Sequence, residues 1–248
     1  MKMTKMKITL LTFLSLLVFE TYAQKGYKVI YNVKPIDVFK DEKTYSKRVK
    51  YILEKTIEYS KKERYILLVN NNNSYFFRKA RMDIDSDDKL TMLYSKLAKL
   101  QTTFNVNVFV NFQKNKIDFI RNLAGKDYYV HKDEFYNFSW DIKNKTKVIS
   151  GLEAKKAVGK YYDIIRDKEF EIIAWFIPSI PIPAGPDVYF GLPGLVGEVH
   201  LRKAIVKIES IEEIDEIVRQ PNFEDVMTYS DYLDFVTKAN AKIKRDYN

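Results

Sequence analysis

The two histidines are the side chains of this sequence best suited to acid–base or metal chemistry near neutral pH. His131 and His200 lie 69 positions apart (200 − 131), and neither has a second histidine or a carboxylate at the spacing of a metal site. In Glu198-Val199-His200, alternate residues of a strand would share one face, so a Glu198–His200 pair can form. Histidines in such sequences are more often polar surface residues on half-exposed strands than catalytic groups. We therefore expect neither histidine to be catalytic.

Two further patterns resemble ligand-binding motifs but lack essential members. The glycines of Gly191–Gly197 suggest a phosphate loop, but no Gly-Lys-Ser/Thr follows, and Pro193 removes a backbone donor. The acidic run Asp83, Asp85, Asp87 and Asp88 opens like a calcium loop, but the glycine at its sixth position and the acid at its twelfth are missing. We interpret Asp87 and Asp88 as charges at the N-terminus of the following helix.

Nucleophilic catalysis has no support in the residue types available. The chain contains no cysteine, which excludes disulfides, thiolate metal sites and a cysteine nucleophile, and it contains no Gly-x-Ser-x-Gly motif. The sequence therefore predicts no catalytic residue, no metal and no cofactor.

The segment Ala174–Gly197 combines backbone-restricting residues with apolar ones. It holds five of the seven prolines and four of the eight glycines, which excludes a regular helix or a central strand. Its remaining residues are too apolar for a solvated linker, so they must bury side chains. We predict a structural role for Gly185, Pro186, Gly191, Leu192, Pro193, Gly194 and Leu195.

Two interpretations of this proline-rich loop remain open. In the first, Trp175 and Phe190 anchor an irregular crossover that plugs the open side of a sheet. In the second, the loop lines an apolar cleft or presents a rigid surface to a partner, with Leu192 at an exposed tip. The candidate ligand- or partner-binding residues are Trp175, Phe176, Tyr189, Phe190 and Leu192.

The hexapeptide Gly191–Val196 resembles the motif of the GLPGLI family, with valine in the last place. Further residues follow in family order, namely Trp140-Asp141-Ile142, Thr146, Gly151, Lys156-Ala157, Ala174-Trp175-Phe176, Pro178, Ile180-Pro181 and Gly185-Pro186. Ala154 departs from the pattern, since many members carry a cysteine there. The resemblance implies an uncharacterised cell-envelope protein of the Bacteroidetes and names no activity.

Alternating apolar residues predict a β-rich fold. The clearest alternation is at Tyr27–Val33 and Phe104–Phe112, and Asn70–Asn73 reads as a hairpin turn between two strands. Further strands are expected at 65–69, 74–77, 117–123, 128–130, 138–142, 153–161, 169–176, 195–201 and 204–208. Short connections make the sheet antiparallel. Trp175 is expected on the inward face with Ile173 and Ile177.

Three amphipathic stretches predict helices that cover one side of this sheet. They run over about 45–57, 90–100 and 223–244, the last with Val226, Met227, Leu233, Val236 and Ile243 inward. The predicted fold is mainly β (α+β), a curved, largely antiparallel sheet or incomplete barrel with a few covering helices. We expect residues 24–248 to form one GLPGLI-family β-rich domain.

The N-terminus predicts export. Lys2, Lys5 and Lys7 precede an apolar stretch of about a dozen residues, and Thr21-Tyr22-Ala23 supplies small residues before a cut. Residues 1–23 therefore read as a signal peptide, and without a cleavage-site cysteine the product is not expected to be a lipoprotein. We predict a soluble periplasmic or extracellular protein that does not span the membrane.

Charge and motifs together favour binding over catalysis. The formal net charge is +9, but cations are interleaved with acids, as in Lys40-Asp41-Glu42-Lys43, so no nucleic-acid partner is expected. The predicted function is a non-enzymatic binding or accessory role, with an apolar ligand or an outer-membrane transport or assembly protein as partner. The alternative is a hydrolase that uses acidic residues such as Glu198 in a cleft.

Overall fold

The structure, a computed structural model, describes residues 26–36, 45–80, 88–100, 102, 104–123, 126–163, 168–215 and 218–246. The expected signal peptide, 1–23, and Asp83, Asp85 and Asp87 of the acidic run lie outside these ranges. The described part confirms the fold class, because the chain forms one large open sheet, almost wholly antiparallel, with three helices.

Twelve strands form this sheet in the order β12-β6-β5-β4-β3-β2-β1-β11-β10-β9-β8-β7. The strands are β1 (Gly26–Pro35), β2 (Arg64–Val69), β3 (Asn73–Arg78), β4 (Val106–Asn111), β5 (Lys116–Leu123), β6 (Lys126–Lys132), β7 (Asp141–Ile149), β8 (Leu152–Asp163), β9 (Lys168–Ile177), β10 (Leu195–His200), β11 (Ala204–Ile214) and β12 (Met227–Thr228). Among the described strand pairs, only the short β12–β6 pair is parallel.

The chain connectivity requires this sheet to curl. Strands β6 and β7 are ten positions apart in the sheet order, which would place them about 48 Å apart in a flat sheet. Residues 133–140 join them directly, and nine Cα steps from Lys132 to Asp141 span at most about 32 Å. The sheet therefore bends until its two ends approach each other, while β7 and β12 remain separate edges.

The core lies on the concave face of this curved sheet. One face of the central strands is buried, with Val29, Tyr31 and Val33 of β1 facing the same way as Leu67 of β2. The Tyr31 hydroxyl donates a 2.7 Å hydrogen bond to the Val196 carbonyl, which ties the centre of the sheet to the end of the proline-rich loop. Burial raises the pKa of the Tyr31 hydroxyl.

The proline-rich loop crosses this concave face. The Phe190 ring lies 6.2 Å from the ring of Phe112 and 4.8 Å from that of Phe135, between centroids. Four strands separate β4, which ends next to Phe112, from β10, which follows the loop. The loop thus packs against distant parts of the sheet at once and supplies part of the core.

The three helices are α1 (Lys47–Lys61), α2 (Lys89–Lys99) and α3 (Tyr229–Asp246). Helix α1 packs against α2 and β1, and α3 packs against β6 and β12. Asp88 caps α2 by accepting hydrogen bonds from the backbone N–H groups of Leu90 and Thr91, as the acidic residues before this helix predicted. No helix among the described residues is both long and apolar enough to cross a membrane.

The third helix begins later than its apolar pattern predicted. Met227 lies in β12, and Val226 is exposed instead of inward. The Thr228 hydroxyl accepts from the Asp231 N–H (3.2 Å) and donates to the Asp231 carboxylate (2.7 Å), so Thr228 caps the helix. The Thr-x-x-Asp sequence is a start signal that the apolar periodicity obscured.

One strand was missed in most of its length. Strand β7 was expected only as 138–142, whereas it runs over Asp141–Ile149 with nearly every side chain exposed. Periodicity cannot find such a strand because it has no apolar face. Its charges suit an edge strand, where they discourage pairing with another chain.

Candidate ligand-binding cavity

A cavity of about 1030 Å³ opens on the concave side of the sheet. Its walls come from β5, the 133–140 connection, the ends of β8 and β9, the proline-rich loop, the 201–203 turn and α3. Sites for small ligands usually have volumes of about 300–1,000 Å³, so one lipid-sized molecule fits here.

Ten aromatic side chains contribute to the lining. They are Phe119, Phe135, Tyr136, Phe138, Tyr161, Tyr162, Phe170, Tyr189, Tyr229 and Tyr232. Several pack on each other, with centroid distances of 5.5 Å for Phe138–Tyr189 and 5.9 Å for Tyr136–Tyr229. These ring contacts hold the wall in one arrangement, so a ligand would meet a preformed apolar surface.

Charged side chains of the lining are mainly cationic. The cations are Arg121, Lys132, Lys160, Lys168, Arg202 and Lys203, and the carboxylates are Glu169 and Asp187. Lys160 and Glu169 form an ion pair at 3.3 Å. The cavity is therefore an aromatic space with an excess of positive charge.

Asp187 is the buried acid of this cavity, at 5% exposure. Its carboxylate accepts a 2.8 Å hydrogen bond from Asn105 Nδ2, and Asn105 Oδ1 accepts one of 2.6 Å from Arg121. Burial raises the pKa of Asp187 to about 7, against the opposing effects of Arg121 and of the Asn105 hydrogen bond. The group can therefore exchange a proton near neutral pH.

Local hydrogen bonds explain why the proline-rich loop keeps one shape. The Leu195 N–H donates to the Ile180 carbonyl (2.9 Å), and the Val196 N–H donates to that of Ala184 (2.8 Å). At Gly194 the backbone passes so close to Ile177 that a Cβ would lie 2.4 Å from its carbonyl oxygen. Gly191 adopts a φ of +89°, which L side chains rarely do. Gly191 and Gly194 therefore allow the backbone conformation and the close packing of this loop.

The structure brings only one of the five predicted binding residues to the cavity, namely Tyr189. Phe176, Phe190 and Leu192 are buried in the core, Leu192 at 1% exposure. The expectation of an exposed tip at Leu192 is therefore wrong. The reason is that the loop turns inward across the concave face, where its apolar residues are covered.

Trp175 lies on the opposite face of β9 from the one expected. Ala174 and Phe176 are the buried neighbours, while the Trp175 ring is half-buried and packs under the Lys147 ammonium, 4.2 Å from the ring centroid. Both alternating sets of β9 are apolar, so periodicity could not choose between its faces. Within the described part of the chain, the Trp175 indole nitrogen is buried without a hydrogen-bond partner.

His131 lies on β6 opposite Asp118 of β5 and is held between two carboxylates. Its Nδ1 is 2.5 Å from Asp118 Oδ1 and its Nε2 is 3.1 Å from Asp133 Oδ1. Burial lowers the pKa of His131, but these hydrogen bonds outweigh burial and raise it. Gln220 donates to the other oxygen of Asp118, at 2.9 Å. Both ring nitrogens are therefore engaged, and Asp118 connects the imidazole to Gln220 in the 218–226 segment.

Glu198 and His200 do pair, as their spacing allowed. His200 Nε2 is 2.5 Å from Glu198 Oε1, and Lys147 Nζ is 2.6 Å from the same oxygen. Burial raises the pKa of Glu198, but the two hydrogen bonds outweigh burial and lower it. This cluster lies outside the cavity lining, and the Lys147 ammonium links it to Trp175. We interpret it as an ion network on the other face of β9 and β10.

Sequence reasoning missed Arg121, Lys132 and Asp187 as cavity residues. Their positions in the chain carry no motif, and only the curl of the sheet brings them together. The Asp118–His131 pair, in contrast, could have been found. Leu123 pairs with Lys126 at the end of the β5–β6 ladder, so paired residues have numbers that sum to 249, and 118 + 131 meets that condition.

No group of three or more histidines, cysteines and acids that could hold a metal occurs among the described residues.

By its geometry, the protein belongs to the class of open, curved sheets that carry a preformed aromatic cavity. Residues 128–198 match the model of a family described as a protein of unknown function (Porph_ging). This segment contains the 133–140 connection, most of the cavity wall and the whole proline-rich loop. No curated protein matches the chain.

Proposed function

We propose that this chain is a non-enzymatic binding protein of the bacterial envelope that holds an apolar or amphipathic ligand on the concave side of its sheet. The observation that carries the proposal is the cavity of about 1030 Å³ with ten aromatic side chains in its wall. Concave sites with aromatic walls and polar groups that fix the orientation of the ligand are a usual form of ligand site.

The cellular location proposed for this function is inferred from the sequence. The expected signal peptide at 1–23 and the resemblance of Gly191–Val196 to the GLPGLI motif both favour export to the periplasm or cell exterior. An envelope protein with such a cavity could carry apolar molecules through an aqueous compartment. The rigid proline-rich loop supports this role because it keeps one wall of the cavity in place without a ligand.

Binding of the uncharged fluorescent probe N-phenylnaphthylamine tests the proposal. Phe170 lines the cavity and stacks on Tyr161 at 6.1 Å, so Phe170→Asn should weaken probe binding by making the wall polar. Phe77 is the matched control, because it is also half-buried and stacks on a tyrosine, Tyr75, at 4.9 Å, but does not line the cavity.

The expected result is probe binding by the wild type and by Phe77→Asn, with affinity lost by about tenfold in Phe170→Asn. No binding by the wild type, or equal loss in both variants, would refute a ligand site in this cavity. Native mass spectrometry of protein recovered from an envelope fraction would then identify any co-purified ligand by mass.

A hydrolase is the second candidate, and one observation favours it. Asp187 is a buried carboxylic acid at the cavity with its pKa raised to about 7, a value suited to general acid–base catalysis. Hydrolysis of a p-nitrophenyl acyl ester that disappears in Asp187→Asn, while probe binding persists, would support this candidate. Ester hydrolysis equal to that of the buffer would exclude it for this substrate class.

A further inference from the structure

We propose that the cavity selects an amphipathic anion, an acyl chain or similar apolar body with one anionic group, and that Lys132 receives that group. This inference rests on the proposed binding function and adds the chemical class of the ligand. The argument has three steps, namely the charge balance of the lining, the environment of Lys132, and the apolar space beside it.

The first step is the charge balance. Six cationic side chains and two carboxylates line the cavity. One carboxylate, Glu169, already pairs with Lys160, and the other, Asp187, is connected to Arg121 through Asn105. Both acids thus already interact with a cation, one directly and one through Asn105. The lining retains a surplus of cations, whose charge an anionic ligand would neutralise.

The second step is the environment of Lys132. Its side chain is half-buried at the end of β6, with the ammonium 5.4 Å from the ring centroid of Tyr136 and 5.2 Å from that of Tyr229. Burial lowers the pKa of Lys132, and the charges of Glu134 and Asp133 only partly oppose this effect. Among the described residues, no carboxylate lies within ion-pair distance of this ammonium. A partly desolvated cation with no contact ion pair among the described residues is unfavourable, and an anion bound there would relieve the cost.

The third step is the apolar space beside this cation. Tyr136 and Tyr229, which hold the ammonium, are themselves cavity-lining rings, and Phe119 and Phe138 continue the aromatic wall. A ligand with its anion on Lys132 would therefore have its apolar part against these rings. An inorganic anion would leave that surface empty, so the geometry favours an amphipath over free phosphate or sulfate.

Two sources supply this chemistry, a free fatty acid and a phospholipid with an anionic head group. Both place an anion at the end of an acyl chain. Paired ligands separate them: oleate against oleyl alcohol differs only in the acid group, and lysophosphatidylglycerol against lysophosphatidylcholine differs in net head-group charge. Each ligand is measured by its displacement of N-phenylnaphthylamine.

The variant is Lys132→Met, which keeps the apolar stem and removes the charge, with Lys132→Arg as the charge-preserving partner. Lys126→Met is the matched control. Lys126 lies on the same strand with its ammonium 5.2 Å from the Tyr128 ring, but it does not line the cavity.

We expect the wild type to bind the anionic member of at least one pair about tenfold more tightly than its partner, and we expect the same of Lys126→Met and Lys132→Arg. Lys132→Met should lose that preference while still binding the probe. The pair that shows the preference identifies the source. Equal displacement within both pairs by the wild type, or a preference retained by Lys132→Met, would overturn the inference and leave the proposed function standing. Failure of the wild type to bind the probe would overturn both.

Discussion

The indole Nε1–H of Trp140 donates a 3.0 Å hydrogen bond to the main-chain carbonyl of Phe190. This bond joins the start of β7 to the proline-rich loop, 50 residues away in the chain. The Trp140 ring also covers Gly159 of β8, where a Cβ would lie 2.6 Å from the indole. All three residues fall within 128–198, so the matched segment contains its own internal packing contact.

The two tryptophans should therefore respond differently to the same substitution. Trp140→Phe removes the donor to Phe190 and should cost about 1–3 kcal/mol of unfolding free energy, because a buried carbonyl loses its partner. Trp175→Phe removes an indole N–H that is buried without a partner in the described structure. The gain in unfolding free energy from removing this group should offset the loss from the smaller contact area. Urea unfolding of both variants checks this, and an equal loss of stability would contradict it.

Two glycines of the proline-rich loop should differ in the cost of a methyl group. At Gly191 the space is open and only the φ of +89° opposes alanine, so Gly191→Ala should cost about 1 kcal/mol. At Gly194 a Cβ would lie 2.4 Å from the Ile177 carbonyl oxygen, so Gly194→Ala must move backbone and should cost about 3 kcal/mol. Thermal melting compares them, and indistinguishable melting temperatures would show that the loop adjusts freely.

The raised pKa of Asp187 predicts a pH dependence of stability. Its pKa is about 7 in the folded protein, against 3.8 for an ordinary aspartate side chain, so the folded state binds the proton more tightly than the unfolded chain does. This contribution to stability is fully present below about pH 4 and is lost as the pH rises towards 7 and beyond.

Asp187→Asn lacks this titration, so its stability relative to the wild type should increase between pH 4 and pH 8, by up to about 4 kcal/mol. The difference between the two proteins matters because titrating groups common to both, such as Glu198 and His131, cancel. Urea midpoints at several pH values measure it. A constant difference across this range would show that Asp187 keeps an ordinary pKa.

The ion pair of Glu63 with Arg78 should be essential to the fold. Glu63 is 1% exposed and accepts two hydrogen bonds from Arg78, of 2.5 and 2.7 Å. Arg78→Met would leave a buried carboxylate without its guanidinium and should cost about 3–5 kcal/mol. Adding Glu63→Gln should recover part of that loss.

The control for this pair is Lys55→Met, which breaks the exposed Lys55–Glu58 pair on α1. Exposed ion pairs are screened by water, so its urea midpoint should not change measurably. A midpoint shift in Lys55→Met as large as that in Arg78→Met would show that burial is not what distinguishes the two pairs.

Most strands, the hairpins and the approximate positions of the helices could be predicted from local patterns in the sequence. Local signals sufficed for these, since alternation at Tyr27–Val33 marks one buried face and Asn70–Asn73 supplies the turn between β2 and β3. Where local signals were weak or equal, prediction failed. The exposed strand β7 has no apolar periodicity, so most of it was not predicted. Strand β9 has two apolar faces, and the prediction therefore placed Trp175 on the wrong one.

The cavity was decided by tertiary structure alone. Its parts come from segments far apart in the chain, such as Asn105 and Asp187, which are 82 positions apart and joined by a hydrogen bond. They meet because a short connection between β6 and β7 forces the twelve-stranded sheet to curl, and no local pattern encodes that curl. Once the sheet curves, Lys132, Arg121 and the aromatic rings of distant strands face one space, whereas Leu192 and Phe190 turn into the core.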